Sequence, residues 1–221
     1  MLHSRQLRYK DDKSVETAIN ELYQKAEECY DEDGIPLTYT KLEYIQSTGT
    51  QYIDTDYTFS DGMRFKFQVQ WMTSPSNASS LFGANSGGTA EVLLGYRGLS
   101  VNYLGGSFNY SWELLTDYNI DIDLKNTTNN LLLIINNELV RNVSGIVNGK
   151  KCYLFGGIKA SHDTSISYYT SEKLYYFRIY SDTELVRDYI PVLDTSKRPC
   201  LFDKVSKTCF YNQGTGEFLY E

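Results

Sequence analysis

Residues 65–71, FKFQVQW, alternate without a break: Phe65, Phe67, Val69 and Trp71 are apolar, while Lys66, Gln68 and Gln70 are polar. Side chains of an extended chain point to opposite faces in turn, so this stretch reads as a strand with one buried face and one wet face. The same texture recurs outward from it. Tyr175, Phe177 and Ile179 alternate with Tyr176, Arg178 and Tyr180. Leu131–Ile135 and Leu139–Val140 flank Asn136–Asn137, and Asn tolerates a positive φ, which predicts a tight hairpin. Cys200–Phe202 and Thr208–Tyr211 flank DKVSK as a second hairpin. From Thr38 onward, short runs broken by Gly, Asn, Ser and Asp follow one another with no helical period between them. That pattern predicts an all-β, two-sheet sandwich.

The front of the chain differs. Residues 14–30, SVETAINELYQKAEECY, predict a helix with Ser14 as N-cap and Glu16 in the first turn. Val15, Ile19, Leu22, Ala26 and Cys29 recur at the spacing of a coiled-coil seam. Two heptads are too few to assemble alone. The seam therefore reads either as an oligomerisation or docking face, with a trimer favoured, or as a helix packed on its own domain. DEDGIPL (31–37) ends the helix with acids, a glycine and a proline, which divides the chain into an arm at 1–37 and a β domain at 38–221.

Composition narrows the function. The net charge is -7 with no long basic run, so nucleic-acid binding by a general electrostatic footprint is not expected. No stretch approaches the ~18 apolar residues of a membrane span, and membrane insertion is not expected. MLHSRQLRYK lacks the apolar core of a secretory signal, so the chain either is not exported by that route or has lost the signal. Arg5, Arg8 and Lys10 make residues 1–10 basic, and removing that +3 from -7 leaves -10 on the remainder. A basic arm of this kind docks on an acidic partner or is a solvated tail. The four cysteines form no CxxC pair and there are only two histidines, so structural zinc is not expected and free thiols are. The 20 tyrosines suit strands first and contact surfaces second.

Several segments resemble a laminin-G-like module common in phage virion proteins and gut-bacterial surface proteins. LEYIQSTGTQYIDT (42–55) resembles its opening strand, SLFGA (80–84) a following strand, and NNLLLIINNELV (129–140) its central hairpin. LYYFRIYSDTELVRDYIPVLD (174–194) and CLFDKVSKTCFYNQGTGEF (200–218) resemble its closing strands and are the specific ones. The resemblance covers roughly residues 40–220. It implies a concanavalin A-like jelly roll and a phage or prophage setting, on a tail, baseplate or head appendage. It implies no particular ligand, because relatives of the wider fold bind sugars, bind proteins or hydrolyse glycans.

Chemistry finds little support. Glucanases of this fold carry E-x-D-x-E or E-x-D-x-x-E on one strand, placing acid and nucleophile on one face. Glu43, Glu91, Glu113, Glu138, Glu172 and Glu184 have no Asp two positions on. Asp117, Asp121 and Asp123 form the closest acidic cluster and read as solvated acids. His162 with Ser161 and Asp163 is no triad signature, since sequence neighbours on a strand face apart, and it reads as a loop residue. Phosphate-cradling glycine motifs and EF-hand loops are absent from the sequence. No cofactor is expected, although a shallow calcium site of scattered Asp and backbone oxygens stays open. The N-x-[ST] triplets at Asn77, Asn109, Asn126 and Asn142 would accept glycans in a secreted eukaryotic protein and otherwise arise by chance. The candidate ligand platform is NYLGGSFNYSWE (102–113), with Tyr103, Asn109, Tyr110 and Trp112; Tyr110 and Trp112 share a face if extended, and either could be core instead.

The expected function is a non-catalytic virion accessory or fibre-like protein, assembled in the host cytoplasm. It would be homo-oligomeric, contact other virion proteins through residues 1–37, and present a lectin-like domain to a host surface glycan. A glycan-active enzyme of the same fold and a monomeric bacterial surface carbohydrate-binding module are the alternatives.

Overall fold

The computed structural model describes residues 14–27, 29–60, 62–74, 80–83, 91–95, 98–102, 106–124, 131–143, 149, 151–158, 166–167 and 169–221. They divide into two compact units, one ending at Thr40 and one running from Lys41 to Glu221.

The first unit contains the helix Val15–Glu27 (α1). Ser14 caps it, its hydroxyl accepting the Thr17 N–H at 3.1 Å. Glu16 meets the positive end of the helix dipole. Val15, Ile19 and Leu22 are 46%, 45% and 67% exposed, and Cys29 is exposed as well. The Ala26 side chain and residues 1–13, with Arg5, Arg8 and Lys10, lie outside the described residues. The Asp31 carboxylate accepts the Ile35 N–H at 2.8 Å, and Gly34 takes φ 76° in the same turn.

The other elements among the described residues are strands: Thr40–Lys41 (β1), Ile45–Gln46 (β2), Ile53–Thr58 (β3), Met63–Trp71 (β4), Phe82–Gly83 (β5), Glu91–Gly95 (β6), Gly98–Asn102 (β7), Gly106–Phe108 (β8), Asp117–Asp123 (β9) and Leu131–Ile135 (β10). Then come Glu138–Val143 (β11), Lys151–Leu154 (β12), Gly157–Ile158 (β13), Ile166–Ser167 (β14), Glu172–Ser181 (β15), Glu184–Leu193 (β16), Pro199–Asp203 (β17), Thr208–Phe210 (β18) and Leu219–Tyr220 (β19). The larger sheet runs β11-β10-β9-β4-β15-β16-β17-β18, and the second runs β3-β12-β5-β6-β7-β8; the named pairs are antiparallel. The chain is thus an all-β, sandwich-like fold preceded by one short helix.

The opening heptapeptide explains the centre. In β4 buried and half-buried residues alternate along its whole length, and Phe65, Phe67, Val69 and Trp71 are at most 1% exposed. Phe82 from the second sheet reaches between Phe65, Phe67 and Phe177 of the first, with ring centroids 5.2, 5.5 and 5.6 Å away. Each such phenylalanine contributes roughly 1.5–3 kcal/mol by leaving water. The 131–143 hairpin turns on Asn136 (φ 50°) and Asn137 (φ 67°), the left-handed pair that a two-residue turn of this hand requires.

One inward row differs from the sequence expectation. Phe177 and Ile179 are buried, but Tyr175 is not their neighbour in the core. The register between β15 and β4 shifts between Leu174 and Tyr176, so a bulge at Tyr175 hands the inward place to Leu174. Tyr175 instead donates its hydroxyl to Asp117 at 3.0 Å.

Two buried carboxylates fix the closing hairpins. Asp203 accepts the N–H groups of Asp188, Val205 and Ser206 at 2.8, 3.1 and 3.1 Å, which holds the DKVSK turn. Asp194 accepts the Ser196 and Arg198 N–H groups at 2.8 and 3.0 Å and the Tyr211 hydroxyl at 2.9 Å. Burial pushes the Asp194 carboxyl up, but these donors and the Arg198 guanidinium outweigh it and hold it below the ordinary value. Cys152, Cys200 and Cys209 are thiols rather than disulfides, buried except for the half-buried Cys209.

Candidate functional site

The platform expected in 102–113 is turned inward. Trp112 is 7% exposed and lies 4.5 Å from Tyr110, 4.8 Å from Tyr118 and 5.5 Å from Trp71, centroid to centroid. Tyr110 and Trp112 do share a side, but that side packs against the core; of Asn109, Tyr110 and Trp112, Asn109 alone is exposed. An indole closed in by three rings offers no face to a sugar. Tyr103 lies outside the described residues, as do Asn77, Asn126, Ser161, His162 and Asp163. Asp121 is not a solvated acid: it takes the Arg64 guanidinium with both oxygens and has Lys66 at 3.5 Å.

A cleft stands elsewhere, at the β3 edge of the second sheet. Its volume is about 330 Å³, and Tyr52, Asp54, Asp56, Tyr153, Ile166 and Gln213 line it. That is the small end of the ~300–1,000 Å³ range of small-molecule sites. The Tyr52 ring lies 6.0 Å from Tyr153 and 6.4 Å from Tyr169. All three rings are half-buried, so each shows part of its surface.

A bulge shapes the acidic side. The β3–β12 register shifts between Cys152 and Tyr153, which leaves Thr55 and Asp56 without register partners in β12. Asp56 takes φ 53°, a conformation that a short polar side chain tolerates. The Asp54 carboxylate accepts the Asp56 N–H at 2.8 Å and the Lys151 ammonium at 2.9 Å. Asp56, whose side chain is 75% exposed, lies 3.7 Å from the same ammonium. The hydrogen bond to Asp54, then its charge, raises the Lys151 pKa and keeps it protonated. Thr55 turns inward and donates to the Cys152 carbonyl at 2.6 Å, and the Tyr189 hydroxyl donates to the Thr55 carbonyl at 2.7 Å. Burial first, then Asp54, raises the Tyr153 phenol, which stays a donor.

The wall opposite comes from the chain's end. Gln213 donates its N–H to the Tyr52 carbonyl at 2.8 Å, and the Asn212 side chain accepts the Tyr52 N–H at 3.2 Å. A neighbouring hollow of about 260 Å³ lies on the same segment, between Arg198, Tyr211, Asn212 and Glu217. Arg198 is engaged there by Asp194 at 3.1 Å and covers the Tyr211 ring at 4.2 Å.

In the sequence, QYIDT (51–55) gives no sign of a cleft. The available signal was Asp54-x-Asp56, two acids at strand spacing; a search for carboxylate pairs begun from glutamates passes over it. Tyr153, Tyr169 and Gln213 arrive from about 100 or more residues away, and nothing local announces them.

No family model matches the chain, and no curated protein matches it. Among solved structures, a proposed carbohydrate-binding protein from Bacteroides ovatus ATCC 8483 superposes with TM-score 0.55 at 15% identity, over 85% of this chain and 61% of that one. This chain therefore spans less than two thirds of that neighbour's length. A mutant Trypanosoma rangeli sialidase displaying trans-sialidase activity gives TM-score 0.40 at 14% identity over 59% of this chain and 23% of its own, too remote to bear on the argument. At such identities the first likeness defines the class by fold, a β-rich sandwich, and says nothing of ligand or activity.

Proposed function

We propose that the β unit is a non-catalytic, lectin-like module of the concanavalin A type that binds a glycan in the Tyr52–Tyr153 cleft. The observation that carries it is the composition of that cleft: tyrosine rings for the apolar face of a sugar, with carboxylate and amide groups beside them for its hydroxyls. The Bacteroides ovatus neighbour, itself a proposed carbohydrate binder, supports this reading. A glycan array with wild type and Tyr153→Ala tests it: signal reduced roughly tenfold in the variant, with a melting temperature close to that of wild type, is the expected result.

The setting proposed is a virion appendage, assembled in the host cytoplasm. The resemblance of 174–194 and 200–218 to a laminin-G-like module common in phage virion proteins, and also in gut-bacterial surface proteins, is what supports it. A seam of Val15, Ile19 and Leu22, open along α1, supports self-association or docking on other virion proteins, with Arg5, Arg8 and Lys10 on an acidic neighbour.

One observation favours a second reading, glycan hydrolysis. Asp54 and Asp56 both line the cleft and both lie within 4 Å of one ammonium. Retaining glycosidases need two carboxyl groups about 5–5.5 Å apart, one held protonated. Here both lean on Lys151, which suits binding better than acid catalysis. Release of reducing sugar by wild type but not by Asp54→Asn would reverse that preference.

A further inference from the structure

Resting on the glycan-binding reading, the geometry points to a metal-independent site for neutral sugars, in which Lys151 is the built-in cation and acidic sugars are turned away. The argument starts from what stands between the two acids. Carboxylates from one strand, aimed at one cleft, repel each other unless a cation sits between them, and a divalent metal is the usual choice. In this cleft the ammonium of Lys151 takes that place, 2.9 Å from Asp54 and 3.7 Å from Asp56. Among the described residues, no group of three or more His, Cys, Asp or Glu side chains is arranged to hold a metal.

The neutralisation is incomplete. Two carboxylates face one ammonium, and the other described lining residues, Tyr52, Tyr153, Ile166 and Gln213, carry no formal charge. The residual charge is negative, and its outermost bearer is Asp56, the most exposed member of the cluster. Asp54 offers acceptors fixed by Lys151 and by the Asp56 N–H, ready for two sugar hydroxyls. A uronic or sialic carboxylate placed on the tyrosines would meet Asp56, while the nearby ammonium of Lys151 is already shared between Asp54 and Asp56. Like charges a few ångströms apart near a surface weaken binding on the order of tenfold.

The test uses the full chain and matched oligosaccharides, one neutral and one whose sugars are oxidised to uronic acids, titrated calorimetrically in low and high salt and with or without EDTA. The neutral ligand is expected to bind about tenfold more tightly in low salt, with a gap that narrows in high salt and with no effect of EDTA. Asp56→Asn should narrow the gap by raising the affinity for the acidic ligand. Equal or tighter binding of the acidic ligand, or loss of neutral binding in EDTA, would overturn the inference. Failure of every glycan to bind would instead remove the glycan-binding reading beneath it.

Discussion

The amide of Gln51 donates to the backbone carbonyl of Glu217 at 3.1 Å, tying the segment that opens the β unit to the segment that closes it. Gln51 is 1% exposed, and its carbonyl oxygen accepts the Thr48 N–H at 2.8 Å and the Ser47 hydroxyl at 3.1 Å. The backbone comes so close that a Cβ on Gly214 would lie 2.1 Å from the Thr50 carbonyl oxygen. Residues 47–51 and 213–216 are thus halves of one joint, and Gln213 on that joint walls the cleft.

Gly214→Ala is therefore expected to destabilise more than Gln51→Ala. The first must displace main chain, whereas the second removes a few hydrogen bonds of about 0.5–1.5 kcal/mol each. Thermal unfolding should show Gln51→Ala lower by several degrees and Gly214→Ala lower still. A Gly214→Ala protein as stable as wild type would refute the close approach.

This joint also shows what the sequence could and could not disclose. Strand alternation in FKFQVQW and the Asn136–Asn137 turn were legible because each depends on neighbours within a few residues. The Tyr175 bulge was not, since a one-residue slip is set by the partner strand and leaves no mark on the pattern. Trp112 was open to both a platform and a core reading because a strand's period gives two faces without saying which is wet. The cleft was hidden for a different reason: its rings belong to segments far apart in sequence, and only the fold brings them together.

Trp112 and Tyr153 should separate cleanly in experiment. Trp112→Ala empties a space among Tyr110, Tyr118 and Trp71 and is expected to cost about 3–5 kcal/mol of stability. Tyr153→Ala removes a half-buried ring at the cleft and should cost far less, while weakening glycan binding roughly tenfold. Denaturant titration and glycan titration of both variants give the two readings. The opposite pattern, with binding lost in a still stable Trp112→Ala, would restore the 102–113 platform.

Association through α1 is checked by charge. Ile19→Glu with Leu22→Glu places two acids on the open seam and leaves the β unit untouched. Sedimentation should give an oligomer for wild type and a monomer for the double variant, both with the same unfolding temperature at the β transition. A wild-type monomer at high concentration would remove the oligomerisation role of this helix.

Glu172 makes stability depend on pH in a predictable direction. It is 0% exposed, lies opposite Trp71 in the β4–β15 pairing, and neither carboxyl oxygen has a hydrogen-bond partner. Burial holds its pKa well above the ordinary carboxylate value. The folded chain therefore keeps a proton that the unfolded chain gives up. The contribution of Glu172 is fully present below about pH 4.5 and is lost as pH rises toward the folded pKa, at up to ~1.4 kcal/mol per pH unit. Glu172→Gln cannot ionise, so it should match wild type near pH 4 and exceed it increasingly as pH rises from there toward the folded pKa. Denaturant midpoints across that range give the comparison, and parallel curves for the two proteins would mean that Glu172 is not the buried acid responsible.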